Sequence, residues 1–202
     1  MGAEPVSTMN TNTPPDPTRL FSAPAINFCS ACGAPVETRI PAGDTLNRQV
    51  CVSCGTVHYQ NPKLVIGSIP VWEHRVMLCK RAIEPRYGKW TLPAGFMENG
   101  ETVAEAAMRE TVEEAGAHIE LGEMFSMISV PHINQVHVFY LARLLDLDFL
   151  AGEESLEVQL FDEASIPWDE LAFRTVSKTL KFFFEDRGSG GMRLHCDAIL
   201  PR

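Results

Sequence analysis

Residues 95–117 read GFMENGETVAEAAMRETVEEAGA, and the fold is decided by this stretch. From Thr102 to Glu114 there is neither Gly nor Pro and most residues favour helix, so a helix is expected over residues 102–114. Asn99 and Gly100 supply the turn before it, and Gly116 stands just past its end, where a positive φ is cheap for glycine. Within that helix Glu110, Glu113 and Glu114 sit at i, i+3 and i+4, so the three carboxylates share roughly one face. Like charges held so close repel, unless hard cations such as Mg2+ or Mn2+ neutralise them. Arg109 precedes the cluster, and Glu101 lies eight residues earlier, about two helical turns away. A bridge between them would clamp residues 95–100 onto the helix. The plainer alternative is a solvated acidic face, which any single E-x-x-E-E run permits.

Working outward, residues 63–72 (KLVIGSIPVW) and 76–80 (VMLCK) read as two strands joined by the polar Glu73, His74 and Arg75, in the manner of a hairpin. Pro85 to Gly88 signals a loop, and residues 90–92 a short strand ending at Pro93. Further strands are expected at residues 125–130, 135–145 and 158–161. A second helix over residues 173–186 places Val176, Leu180, Phe183 and Phe184 on one face. Gly188 to Gly191 is expected to end regular structure. Strands interleaved with two helices make an α/β domain with a mixed sheet. The domain plan is a disordered tail at residues 1–25, a cysteine-bearing segment at 26–61, the main domain at 62–187 and a tail at 188–202.

The 202 residues, 45% hydrophobic and 21% charged, suffice for one core plus a small appendage, which excludes global disorder and a large multidomain enzyme. No apolar run approaches the roughly 20 residues of a membrane helix, and no secretory signal pattern is visible. A soluble protein of the reducing cytoplasm is expected. A formal charge of -9 speaks against nucleic acid or anionic lipid as a partner, since both require clustered Lys and Arg. The acidity has two readings at this point, a solvated surface or carboxylates gathered around metal.

Cys29-x2-Cys32 and Cys51-x2-Cys54 are separated by eighteen residues, and each pair is followed by glycine, Gly33 and Gly55. Two such knuckles can surround one zinc ion with four thiolates. With every ligand supplied by protein, such a zinc keeps no open position and would staple a small ribbon rather than perform chemistry. Two disulfides or four free thiols are the alternatives. Cys79, in an apolar strand, reads as a buried small hydrophobe.

Taken together, Gly95, five residues, Glu101, seven residues, Arg109-Glu110, two residues, Glu113-Glu114, one residue and Gly116 resemble the Nudix box, the signature of hydrolases that cleave nucleoside diphosphates linked to another moiety. Thr111 and Ala117 stand where that family usually has bulky aliphatics. A four-cysteine ribbon ahead of the box, followed by Tyr59-Gln-Asn-Pro-Lys63, is similar to the zinc-ribbon Nudix hydrolases, among them the NADH pyrophosphatases. LCKRAIEPRYGKWTLPAGFMENGE and ESLEVQLFDEASIPWDELAF resemble the plant chloroplast FAD pyrophosphatase and its bacterial relatives. The Ser-Gln-Pro-Trp-Pro-Phe-Pro motif of the NADH pyrophosphatases is replaced by MFSMISVP at residues 124–131.

The resemblance implies a Nudix α/β/α sandwich with a mixed sheet behind a small zinc ribbon. It further implies Mg2+- or Mn2+-dependent cleavage of a pyrophosphate, FAD or ADP-ribose giving AMP plus FMN or ribose 5-phosphate. NADH or another dinucleotide is the alternative substrate, and a ligand-sensing regulator the alternative class. Glu110 and Glu114 would be the main metal ligands, Glu113 would share a metal or orient Arg109, the carbonyl of Ala94 would complete the shell, and Glu101 would give structural support. A further carboxylate, as ligand or general base, is sought at Glu154 or Glu157. Trp90 and Phe96 are candidates to stack on a substrate ring, or else core residues. The ribbon offers surface for a homodimer.

Overall fold

The structure is a computed structural model and describes residues 25–201, so the tail expected at residues 1–25 lies outside it but for Ala25. The chain divides into two compact units at Asn61 and Pro62.

In the first unit, β1 (Val36–Arg39), β2 (Arg48–Cys51) and β3 (Val57–His58) form an antiparallel sheet in that order. Val36 lies opposite Cys51, and Gln49 opposite His58. Only Cys29, Val50 and Cys51 of its described hydrophobic residues are buried. So small a core stabilises a fold weakly without a covalent or metal staple.

The second unit is built on the sheet order β10-β5-β4-β9-β8-β11, with two further strands at its side. The strands are β4 (Lys63–Trp72), β5 (Arg75–Arg81), β6 (Trp90–Thr91), β7 (Ala94–Phe96), β8 (Ile119–Val130), β9 (Gln135–Leu144), β10 (Ser155–Phe161) and β11 (His195–Ala198). The helices are α1 (Val103–Ala115) and α2 (Arg174–Ser189). β4 with β9 and β8 with β11 pair in parallel and the other neighbours antiparallel, which makes the sheet mixed.

The central strands carry apolar residues on both faces because a helix covers each. Along β9, Val136, Val138 and Tyr140 join Ala106 and Ala107 of α1, whereas Phe139 and Leu141 join Val176, Leu180 and Phe183 of α2. This alternation is the period of two that a pleated strand imposes. The result is the three-layer α/β/α arrangement. Among the described residues, no helix is long and apolar enough to cross a membrane.

Several elements differ from the sequence expectation, β10 among them, which begins at Ser155 and not at residue 158. β8 begins at Ile119, not near residue 125; its register shifts between Leu121 and Met124 and again before Ser126, and these irregularities break the alternation that marks a strand. β7 is too short to carry a pattern. Regular structure does not end at Gly188, because α2 runs to Ser189 and β11 pairs with Ser126–Ser129 of β8. Buried Asp186 fixes that return, accepting hydrogen bonds from the backbone N–H of Arg193 at 3.0 Å and from His195 Nε2 at 2.9 Å. A bond between residues nine positions apart across a glycine turn leaves no local signature.

Candidate active site

Thr102 caps α1: its hydroxyl accepts from the Glu105 N–H at 3.2 Å, while the Glu105 carboxylate accepts from the Thr102 N–H at 2.7 Å. Gly116 ends the helix with φ 57°. Ala106, Ala107 and Ala115 let the helix approach the sheet closely. Thr111 uses the position of a bulky aliphatic differently: its hydroxyl donates to the Ala107 carbonyl at 2.7 Å and lies 2.6 Å from the buried Ser68 hydroxyl of β4, which therefore donates to it. This packing turns Glu110 and Glu114 inward, where they are 8% and 5% exposed.

Arg109 gathers the surrounding carboxylates. Its Nε donates to Glu101 Oε1 at 2.5 Å, Nη2 to Glu101 Oε2 at 3.0 Å and to the Phe96 carbonyl at 3.1 Å. Nη1 reaches Glu110 Oε1 at 2.7 Å and Glu113 Oε2 at 2.9 Å. Glu101 also accepts from the Glu98 N–H at 2.9 Å, so the loop before α1 is clamped to the helix as the spacing suggested. Arg109 holds Glu101 below the ordinary carboxylate range. A Cβ on Gly95 would push the Glu110 carboxylate out of this position.

Glu114 makes no such ion pair among the described residues. Its Oε2 accepts from the Ala94 N–H, at 3.3 Å, and burial, opposed in part by that bond and by the charge of Arg81, pushes its carboxyl up to about 8. Burial also raises Glu110, against the opposing pull of Arg109. A buried carboxylate without a cationic partner is costly unless a metal ion or a proton compensates it. The donor set, all carboxylate and backbone oxygen, suits a hard divalent cation.

These glutamates open on a cavity of about 980 Å³ that also reaches the α2 face of the sheet. β4 changes partner along that side, pairing with β7 at Val65 to Gly67 and with β5 at Val71 and Trp72, so carboxylates of α1 and side chains from β9 line the same space. The loop before β10 closes it. Leu150 N–H donates to the Ala115 carbonyl at 3.0 Å and Gly152 N–H to the Glu114 carbonyl at 3.1 Å, satisfying the end of α1. A Cβ on Gly152 would collide with the Glu113 carbonyl, so this glycine is what brings Glu153 and Glu154 to the cavity.

The sequence candidates now separate. Glu110, Glu113, Glu114, Arg109, Ala94, Phe96 and Glu154 line the cavity. Glu101 stands behind Arg109. Glu157 does not line it: that side chain is exposed on β10, 3.7 Å from Lys80 Nζ, because alternation along the strand turns it outward. Trp90 is a core residue, 4.9 Å edge-to-face from Phe161. Phe96 is 46% exposed with Lys63 Nζ 4.8 Å from its ring.

Sequence reasoning missed Arg81. It is buried, lies over the Phe173 ring at 5.1 Å, donates from Nε to the Pro85 carbonyl at 2.9 Å, and lines the cavity. No carboxylate of a described residue lies within ion-pair distance of it. A single Arg at a strand end carries no pattern that could have marked it.

In the first unit, the four Sγ atoms of Cys29, Cys32, Cys51 and Cys54 lie within 4.8 Å of one another. Cys32 is 3.4 Å from Cys51 and from Cys54, and Cys29 is 3.7 Å from Cys54. These separations exclude disulfides, which need about 2.05 Å, and suit tetrahedral zinc with Zn–S near ~2.3 Å. Backbone N–H groups of Ala31, Ser53 and Cys54 point at the sulfurs at 3.4 Å, and Gly33 and Gly55, both at φ 73°, close the two turns by donating to the Cys29 and Cys51 carbonyls. Among the described residues, no other group of His, Cys, Asp and Glu converges so closely.

Comparison with known proteins accords with this geometry. The family described as NUDIX domain matches residues 62–183, and the zinc-ribbon family described as Nudix N-terminal matches residues 27–60. The ADP-ribose pyrophosphatase of Methanocaldococcus jannaschii is 33% identical over 119 residues, covering 57% of this chain and 69% of that protein. The NAD-capped RNA hydrolase NudC of Haemophilus influenzae is 32% identical over 149 residues, and the alignment spans 71% of this chain but 52% of that protein. The crystal structure of a NUDIX hydrolase from Nitrosomonas europaea superposes with a TM-score of 0.83 at 55% identity, covering 86% of this chain and 99% of that one.

Proposed function

The chain belongs to the NUDIX family, and from that premise we propose that it hydrolyses the pyrophosphate of a nucleoside diphosphate linked to another moiety, with ADP-ribose or FAD as substrate. The products would be AMP and ribose 5-phosphate or FMN. The observation that carries this is the pair of inward-turned carboxylates, Glu110 and Glu114, opening on the same cavity as the ion-pair-free Arg81. An anionic substrate needs cations on both sides of the bond that breaks.

Glu110, Glu113 and Glu114, with the carbonyl of Ala94, would hold Mg2+ or Mn2+, and the donor chemistry fits either. When bound, such an ion masks phosphate charge and lowers the pKa of a coordinated water. The chain's own groups do the remainder. Arg109 keeps Glu110 and Glu113 oriented and ties Phe96 to α1, and Arg81 presents its outer guanidinium edge to phosphate oxygens. Glu154, held beside the end of α1, is the group we assign to take the proton of the attacking water. The cysteine cluster would hold structural zinc. ADP-ribose is supported by the Methanocaldococcus relative's name. A dinucleotide is the second reading, favoured by the Haemophilus match.

The test is a panel of ADP-ribose, FAD, NADH and diadenosine polyphosphates with Mg2+ and with Mn2+, products separated by chromatography. Turnover of at least one, abolished in Glu114→Gln, is expected. Absence of cleavage of every substrate with both cations would refute the assignment.

A further inference from the structure

The end of the cavity away from the carboxylates has a polar device that the cleavage chemistry does not use. On β9, His137 is 8% exposed, and its ring is bonded at both nitrogens: Nε2 lies 2.9 Å from Gln135 Oε1 and Nδ1 lies 3.0 Å from Thr175 Oγ1 of α2. An amide oxygen can only accept, so Nε2 carries the proton, Nδ1 accepts, and the Thr175 hydroxyl donates. Burial lowers the imidazole to about 4, which keeps it neutral near pH 7.

The hydrogen-bonding direction is thereby fixed along the three residues. The Thr175 hydroxyl proton and both His137 ring nitrogens are engaged, and the Gln135 amide is held by its oxygen. Its nitrogen makes no protein hydrogen bond among the described residues, although Gln135 lines the cavity. Val130, Ile133, Phe139, Val176 and Ile199 give the neighbouring walls an apolar surface, and His132 and Arg174 line the cavity beside them. An apolar recess with a few convergent polar groups is the pattern of a site for a planar ligand.

Register places this recess relative to the carboxylates. Ala94, whose N–H meets Glu114, pairs with Gly67 of β4, and Gln135 pairs with Lys63 of the same strand. Four residues of extended chain separate the two levels, roughly 13 Å. That is comparable to the reach of a nucleoside from its phosphate to the far edge of its base.

We propose that Gln135, positioned by the His137–Thr175 relay, is the specificity-determining donor to a ring acceptor of the substrate's nucleobase. This rests on the nucleotide-hydrolase reading and deepens it: the base enters the Gln135 recess, and the pyrophosphate lies toward Glu110 and Glu114. Gln135 contacts the ligand, whereas His137 and Thr175 are positioning residues acting through it.

The test measures binding by calorimetry on the full chain, with AMP, GMP, UMP and ribose 5-phosphate as probes, so that no turnover is needed. Wild type should bind at least one nucleotide about tenfold more tightly than ribose 5-phosphate. Gln135→Leu should collapse that ratio to near one, and Gln135→Glu, which keeps the length but lacks the donor, should lower it as well. Thr175→Val should lower the ratio about threefold and Thr175→Ser should restore it, a rescue that mere packing would not show. A wild type without base preference, or Gln135 variants that retain it, overturns the base subsite; an unmoved ratio in Thr175→Val overturns the relay. The two levels stay separable. Cleavage with an unmoved ratio refutes the subsite alone, and the expected ratios without any cleavage refute the hydrolase reading alone.

Discussion

Replacing Glu114 with glutamine should destroy activity while making the metal-stripped protein more stable near pH 8. In the fold, burial raises this carboxyl from its ordinary 4.5 to about 8. Between those values the folded chain keeps a proton that the unfolded chain has released, so stability falls as pH rises through the window and levels off above about 8. At about 1.36 kcal/mol per pH unit, the full window corresponds to roughly 5 kcal/mol. Glutamine carries no charge to desolvate, and its Oε1 can still accept from the Ala94 N–H. The expected gain for Glu114→Gln is therefore about 4 kcal/mol at pH 8, shrinking toward zero near pH 4.5. The assay is urea denaturation with a chelator from about pH 5 to about pH 9, followed by tryptophan fluorescence. Trp72, Trp90 and Trp168 all lie in the second unit, so the signal reports on it alone. Mg2+ or Mn2+ should then stabilise the wild type more than the variant. Parallel stability curves across the pH range, or a variant less stable at pH 8, would refute the claim that an uncompensated buried carboxylate is maintained here for function.

Three other outcomes are expected. Arg109→Lys replaces a fork that serves Glu101, Glu110, Glu113 and the Phe96 carbonyl with a single ammonium; steady-state assays should show kcat/KM down at least about tenfold, with about 1–2 kcal/mol lost on denaturation. Thr111→Val leaves the buried Ser68 hydroxyl without its acceptor and should lose about 1–2 kcal/mol, part of which Ser68→Ala in the same chain restores; additive losses in that double variant would contradict the pairing. The purified chain should contain close to one zinc per molecule by elemental analysis, and Cys51→Ser should lose it; metal-free protein with the first unit folded would rule out the staple.

Much of the site was legible because its chemistry is local. Glu110, Glu113 and Glu114 share a helical face by spacing alone, and Arg109 reaches back to Glu101, which stands just before the Thr102 cap. The cysteine pairs are equally local, each a short knuckle with a glycine behind it. Glu154 and Glu157 looked equivalent in the sequence; strand alternation sends one outward to Lys80, and the backbone bonds of Leu150 and Gly152 to α1 hold the other at the cavity. Trp90 beside the box could be read from the sequence as a ligand platform or as core, and the ring fills the core against Phe161.

By itself the sequence determined an α/β fold, a helix that presents three carboxylates together and a segment able to enclose a metal with four sulfurs. These follow from periodicity, capping and short spacing, which act over a few bonds. Only the tertiary structure decided that Arg81 faces the glutamates of α1, that Thr175 of α2 orients His137 of β9, and that the chain beyond Gly191 returns as β11. Those residues lie far apart along the chain and meet because the sheet sets their register and two helices bury its faces. What such packing adds is low dielectric and direction: it leaves Glu114 without an ion pair and gives the Gln135 amide one orientation.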